Sequence, residues 1–114
     1  MSYLNIHPHY KITMEPDAAK RQAPMREFHQ PDTIEIEDRT IPGQGDIPDI
    51  PVRIYYPKGI EKAPMIMNVH GGGFRGGSYE SDNNRVSYFA EKVPAVVVSL
   101  NYRLIPEHPF PAAL

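Results

Sequence analysis

The chain has 114 residues, of which 40% are hydrophobic and 23% are charged, and its formal net charge is −2 at pH 7. This length suits one small domain, and the charge balance gives no support to nucleic-acid or membrane binding. Cysteine is absent, which excludes disulfides and a cysteine nucleophile. The first residues lack the charged and apolar regions of a secretory signal, so we expect a soluble cytoplasmic protein.

The first 32 residues are interpreted as an appended, cap-like segment rather than as part of a sheet. Residues 17–25 predict a short helix, with Asp17 as its cap and Pro24 ending or kinking it. His7 and His9 form a pair near the terminus, which is more often incidental than a metal site. We expect no metal and no cofactor.

Two segments of alternating polarity follow. Thr33–Ile41 and Val52–Tyr56 alternate apolar and polar residues, which predicts half-exposed strands. The turn residues of Pro42–Asp46 predict a loop between them. We expect these strands to pair antiparallel at a sheet edge, with one face in water.

The pattern then changes to short apolar runs. Met65–Val69 and Ala95–Leu100 predict strands that are buried on both faces, as in a parallel sheet. A helix predicted between them completes a right-handed βαβ unit. Pro111 is typical of the first position of a further helix.

The helix between the two runs is predicted from its cap and its apolar stripe. Either Ser81 or Asp82 can cap its N-terminus. The stripe at helical spacing consists of Val86, Phe89, Ala90 and Val93.

Three consecutive glycines follow the first apolar run, within His70-Gly71-Gly72-Gly73-Phe74. Glycines are used where the backbone adopts unusual dihedral angles or approaches a ligand. Successive N–H groups in such a loop can converge on an anion, as an oxyanion hole requires. The alternative is a tight turn after a strand. A phosphate-binding loop is disfavoured because its glycine and lysine spacing is absent.

Two motifs together resemble the hormone-sensitive-lipase family of α/β-hydrolases. The His70–Phe74 loop is similar to the HGGG oxyanion loop of that family. Asn101–Ala113 resembles its YRLAPEHPFPAA signature, with Ile105 in place of alanine. The resemblance covers about residues 33–114. It implies an α/β fold, namely the N-terminal part of an α/β-hydrolase domain: two antiparallel edge strands and then the βαβ unit.

The resemblance implies a carboxylic ester hydrolase that acts on a small acyl ester through a Ser-His-Asp triad. The N–H groups of Gly72 and Gly73 would be oxyanion-hole donors. His70 and Gly71 would support the loop, and Phe74 would line the substrate pocket.

The resemblance also implies a structural polar network of Arg103 and Glu107. The Gly-x-Ser-x-Gly nucleophile motif is absent from the sequence, so the nucleophile, acid and base are expected downstream of Leu114. We therefore expect the 114-residue chain alone to be inactive. The alternatives are a non-catalytic protein that binds a small ligand on the same fold, or an inactive fragment.

The family order of strands places Met65–Val69 next to the nucleophile strand, which would leave an apolar edge open in this chain. Open edges invite pairing with another chain. We expect self-association through this edge, or a partner that supplies the C-terminal half of the hydrolase.

Overall fold

A computed structural model describes residues 24–114 of the chain. The helix predicted from Asp17 and the His7–His9 pair lie outside the described residues. Along the described part, the elements are β1 (Ile34–Ile41), β2 (Ile50–Pro57), β3 (Met65–Val69), α1 (Asn83–Lys92) and β4 (Val96–Leu100).

The strands form one mixed sheet in the order β1-β2-β4-β3. β1 pairs antiparallel with β2 from Ile34 opposite Pro57 to Ile41 opposite Ile50, which confirms the predicted pair. β2 is not an edge strand, because its other side pairs antiparallel with β4. β3 and β4 are parallel and are joined through α1, which confirms the β-α-β arrangement.

The core lies between α1 and one face of the sheet. Ile34, Tyr55 and Val97 point from three strands toward Val86 and Ala90 of α1, and all five are buried. Adjacent strands place side chains of paired residues on the same face, so these three strand residues form one continuous surface. The core is small because one helix covers one face.

The predicted helical stripe is only half correct. Val86 and Ala90 are buried, but Phe89 and Val93 are 42% and 49% exposed. The buried face of α1 is completed by two polar residues, Asn83 and Ser87. The stripe predicted from the spacing of apolar residues is therefore rotated about the helix axis relative to the face that is buried.

The expectation that β3 is buried on both faces is wrong in this chain. Met65, Met67 and Val69 are 69%, 62% and 58% exposed, since they alternate away from the face that α1 covers. β4 is buried at Val97 and Ser99 and half-buried between them. No described element packs on the other face of the sheet.

Residues 111–114 form turns rather than the predicted helix. The N–H groups of Ala112 and Leu114 donate to the carbonyl groups of Pro109 and Pro111, three residues earlier. An α-helical bond joins residues four apart, and four residues are too few to propagate such bonds. None of the helices within residues 24–114 is long and apolar enough to cross a membrane.

Candidate functional site

The two sequence motifs meet at one end of the sheet. Val69 at the end of β3 pairs with Leu100 at the end of β4. Because the two strands are parallel, His70 and Asn101 leave the sheet side by side, although they are far apart in the sequence.

Tyr102 joins the second motif to the first. Its hydroxyl donates a 2.8 Å hydrogen bond to the carbonyl oxygen of His70. Its ring stacks on the His70 ring at 4.2 Å and 13°, and contacts the edge of Phe74 at 6.0 Å. The N–H of Ile105 donates to the Phe74 carbonyl at 2.8 Å. The second motif therefore holds the glycine loop at its first and last residues.

The glycine loop turns sharply at Gly72. Its φ is 137°, and the following Gly73 and Phe74 have φ values of 59° and 60°. The carbonyl of Gly72 accepts from the N–H groups of Arg75 and Gly76 at 3.1 and 3.2 Å. A Cβ at Gly72 would overlap the carbonyl of Gly76. Only glycine fits this position, since both its dihedral angle and its surroundings exclude a side chain.

The glycine loop lies at the surface of the described chain. Gly71–Phe74 are exposed. Within residues 24–114, no acceptor takes the N–H of Gly72 or Gly73. These two neighbouring N–H groups therefore have no acceptor in the described chain, and an oxyanion hole is built from donors of this kind.

The His70 side chain is buried at 3% exposure beneath the loop. Its Nδ1 lies 2.9 Å from the carbonyl oxygen of Gly71, an acceptor, so a hydrogen bond here has Nδ1–H as its donor. A Cβ at Gly77 would run into both the Gly71 carbonyl and the imidazole. The ring is thus enclosed by the segments that it contacts.

Phe74 lines a small apolar pocket of about 190 Å³. Its side chain is 52% exposed. The remaining lining residues are Ile105, His108, Phe110, Ala113 and Leu114. An apolar lining beside open N–H donors suits the hydrocarbon part of an ester.

Arg103 and Glu107 lie outside the glycine loop. Arg103 lines a second, larger pocket of about 450 Å³, together with Asp49 and Asn101. Glu107 is exposed in the turn that follows. The structural network that the resemblance implies for these two residues stays a prediction.

A polar cluster beneath the site was not predicted from the sequence. Asn68 of β3 donates to the hydroxyl of Ser99 at 2.9 Å and to the carboxylate of Asp82 at 3.1 Å. Arg85 of α1 donates to the Asn68 side-chain oxygen at 3.0 Å and also contacts Asp82. The only sequence signal was a polar Asn68 within an apolar strand.

A second polar cluster crosses the sheet away from the loop. Arg53 forms two hydrogen bonds of 2.6 and 2.8 Å with Asp38 and lies 4.5 Å from the centre of the Tyr79 ring. Hydrogen bonding from Arg53 lowers the pKa of Asp38. The Tyr55 hydroxyl donates to Asn83 at 2.6 Å, and burial raises the pKa of this phenol. These residues fix α1 on the sheet.

Residues 24–114 contain no cluster of three histidine or carboxylate side chains that could hold an ion.

Comparison with known proteins gives a consistent result. A family model described as alpha/beta hydrolase fold matches residues 66–114. Carboxylesterase NlhH of Mycobacterium tuberculosis is 39% identical over 82 residues, which cover 71% of this chain and 25% of that protein. The chain therefore spans about a quarter of the length of this curated relative.

Solved structures of esterases also match. A hyperthermophilic esterase from the archaeon Pyrobaculum calidifontis is 47% identical with a TM-score of 0.64, over 69% of this chain and 25% of that chain. EstE1, a thermostable carboxylesterase from a metagenomic library, is 37% identical with a TM-score of 0.66, over 75% of this chain and 28% of that chain.

Proposed function

The chain belongs to the α/β-hydrolase family, and we propose that it carries the oxyanion-binding part of a carboxylic ester hydrolase. One observation carries the proposal: Gly72 and Gly73 are exposed residues, and their N–H groups make no hydrogen bond within the described chain. Both glycines come shortly after His70, a buried residue that follows the carboxyl end of the parallel strand β3. Ligands bind at the carboxyl ends of the strands in open α/β sheets.

In the proposed reaction, a serine attacks the carbonyl carbon of a small acyl ester. The carbonyl oxygen gains negative charge, and the N–H groups of Gly72 and Gly73 donate to it. Removing one such donor in a serine hydrolase costs about 2.7–4 kcal/mol of transition-state stabilisation. His70 supports the loop through its contacts with Gly71 and Tyr102 and takes no proton in the reaction.

The nucleophile, general base and acid of this mechanism come from outside the 114 residues, which contain no Gly-x-Ser-x-Gly sequence. Without them the oxyanion donors have little to stabilise, because they act on an intermediate that the serine creates. We expect no serine-dependent turnover from the 114-residue chain alone.

Phe74 and its pocket point to the acyl or alcohol part of the substrate. The pocket of about 190 Å³ is small and apolar. A short to medium hydrocarbon chain fits such a volume better than a long lipid chain.

A chimera tests the proposed function. Residues 33–114 would replace the matching quarter of the Pyrobaculum calidifontis esterase, which supplies the remaining three quarters of the fold. We expect the chimera to hydrolyse p-nitrophenyl butyrate, and the 114-residue chain alone to leave it intact. A folded chimera without hydrolysis would count against the proposal.

The two donors can be removed one at a time by semisynthesis. Replacing the amide N–H of Gly72 or Gly73 by an ester oxygen deletes the donor and adds no side chain. We expect each replacement, made within the esterase chimera, to lower kcat about 10²–10³-fold. The same replacement at Gly45, in an exposed loop, is the matched control. An equal, small fall in kcat at all three positions would rule out the oxyanion role.

A further inference from the structure

Asn68 occupies the junction of three elements. It is two residues before His70, and its paired neighbour on β4 is Ser99, which is fully buried. Its side-chain amide donates to Ser99 and Asp82, and its oxygen accepts from Arg85. A side-chain amide has two N–H groups and one carbonyl oxygen, so every group of Asn68 is used.

The carboxylate of Asp82 has unusual hydrogen-bond partners for a residue at the start of a helix. It is the N-cap of α1, but its carboxylate makes no capping hydrogen bond to the helix. Such a bond normally stabilises the start of a helix. The carboxylate instead accepts from Asn68 and Arg85. Asp82 does stand at the predicted N-cap position, but tertiary partners take its carboxylate away from the capping hydrogen bond.

The charge of Asp82 is maintained by these partners. Burial would raise its pKa, but hydrogen bonds from Arg85 and Asn68 outweigh burial and lower it. Its side chain is 18% exposed. An ionised acceptor makes stronger hydrogen bonds than a neutral one.

The Asn68–Asp82 hydrogen bond joins the two ends of the segment that contains the glycine loop. From Asn68, the second-last residue of β3, the chain passes through Gly72 and Gly73 and reaches Asp82, the N-cap of α1. Closing the base of a loop removes conformations in which its ends separate. The bond thus restricts the conformations of residues 69–81, although it lies outside that segment.

We propose that Asn68 and Asp82 are positioning residues that set the alignment of the Gly72 and Gly73 donors by closing the base of their loop. The inference rests on the proposed oxyanion role for its functional consequence. Its structural content, the control of loop geometry, is measurable on the 114-residue chain without any activity.

An exchange of the two residues tests the proposal. Asn68→Asp places two carboxylates side by side, so we expect it to shift the backbone amide resonances of Gly72 and Gly73 in a ¹H–¹⁵N spectrum. Asp82→Asn keeps an acceptor oxygen, so it shifts them less. The double variant restores one carboxylate and one amide, and we expect its loop resonances to return toward those of the parent chain.

A matched control separates loop alignment from general stability. Thr33→Ala removes another hydrogen bond of α1, from the Thr33 hydroxyl to Glu91 at 2.8 Å. We expect Thr33→Ala to leave the Gly72 and Gly73 resonances in place. In the esterase chimera, Asn68→Asp lowers kcat about tenfold or more with little change in KM, because misplaced donors act on the transition state.

Two outcomes would overturn the proposal. In the first, the double variant regains stability while the Gly72 and Gly73 resonances stay displaced. In the second, Asp82→Ala and Asp82→Asn give the same loop resonances, although only asparagine retains an acceptor; this comparison also applies if Asn68→Asp does not fold. If the parent chimera does not hydrolyse the ester while the resonances of Gly72 and Gly73 shift as expected, only the oxyanion role is overturned.

Discussion

The hydroxyl of Tyr102 donates a 2.8 Å hydrogen bond to the carbonyl oxygen of His70, and the two rings stack 4.2 Å apart. One residue of the second motif thus contacts both the backbone and the side chain of the first residue of the glycine loop. The two motifs depend on each other because their strands are parallel neighbours.

Tyr102→Phe separates these two contacts. It removes the hydrogen bond and keeps the stacked ring, so we expect the free energy of unfolding to fall by about 1 kcal/mol. Tyr102→Ala removes both, and we expect a loss of about 3 kcal/mol. Urea unfolding measures both values. Tyr88→Phe, on the exposed side of α1, is the control; a loss as large as that of Tyr102→Phe would show that the hydrogen bond contributes nothing.

Gly72→Ala and Gly73→Ala compare two positions of one loop. At Gly72 an added Cβ meets the Gly76 carbonyl and the φ is 137°, whereas at Gly73 the Cβ meets nothing within 4 Å and the φ is 59°. We expect Gly73→Ala to cost about 1 kcal/mol from backbone strain alone, and Gly72→Ala to cost clearly more. Chemical denaturation measures the difference, and equal costs would contradict the turn geometry at Gly72.

Val86→Ala and Val93→Ala test which face of α1 is buried. Val86 is fully buried and Val93 is 49% exposed. We expect Val86→Ala to lower the free energy of unfolding by about 2 kcal/mol through lost burial and a cavity. Val93→Ala should change it by less than about 0.5 kcal/mol. Equal losses at the two positions would support the stripe predicted from the sequence, which contains both residues.

Asp82 makes stability depend on pH in the acid range. Its pKa is lowered in the folded chain, below the ordinary value of about 3.9. A carboxyl group of this kind stabilises the folded state above its unfolded pKa, and this stabilisation is lost as the pH falls through the folded pKa. We expect unfolding free energies measured from pH 7 to pH 2.5 to fall less steeply in Asp82→Asn. Identical acid limbs in both chains would refute the contribution of Asp82.

The uncovered face of β3 predicts association of the 114-residue chain. Met65, Met67 and Val69 are exposed on the outermost strand of the described sheet, and apolar edges pair with other chains. We expect a concentration-dependent mass in sedimentation equilibrium, reduced by Met67→Lys. Tyr88→Lys, on α1, is the matched control. A monomer at all concentrations would contradict this prediction.

The sequence predicted the strands well because each has a clear period and clear turn residues at its ends. Thr33–Ile41 and Met65–Val69 match β1 and β3 to within one residue. The glycine loop was identified because consecutive glycines cost chain entropy and therefore occur mainly where the backbone turns sharply or approaches a ligand. These features depend on neighbours in sequence, which the order of residues shows directly.

The missed features depend on neighbours in space. Ser87 and Asn83 complete the buried face of α1 although they are polar, because polar partners from the sheet reach Asn83. Asp82 turns its carboxylate from the helix to Asn68 for a similar reason. The contact of Tyr102 with His70 follows only from the parallel pairing of β3 and β4.

The partner of the His70 carbonyl lies 32 residues further along the chain. The glycine loop therefore depends on a contact of high sequence separation, and such contacts form slowly because the intervening chain must first be closed into a loop. We expect the contact between His70 and Tyr102 to form only when β4 joins β3, so that the conformation of the loop is completed by the same folding step that completes the sheet.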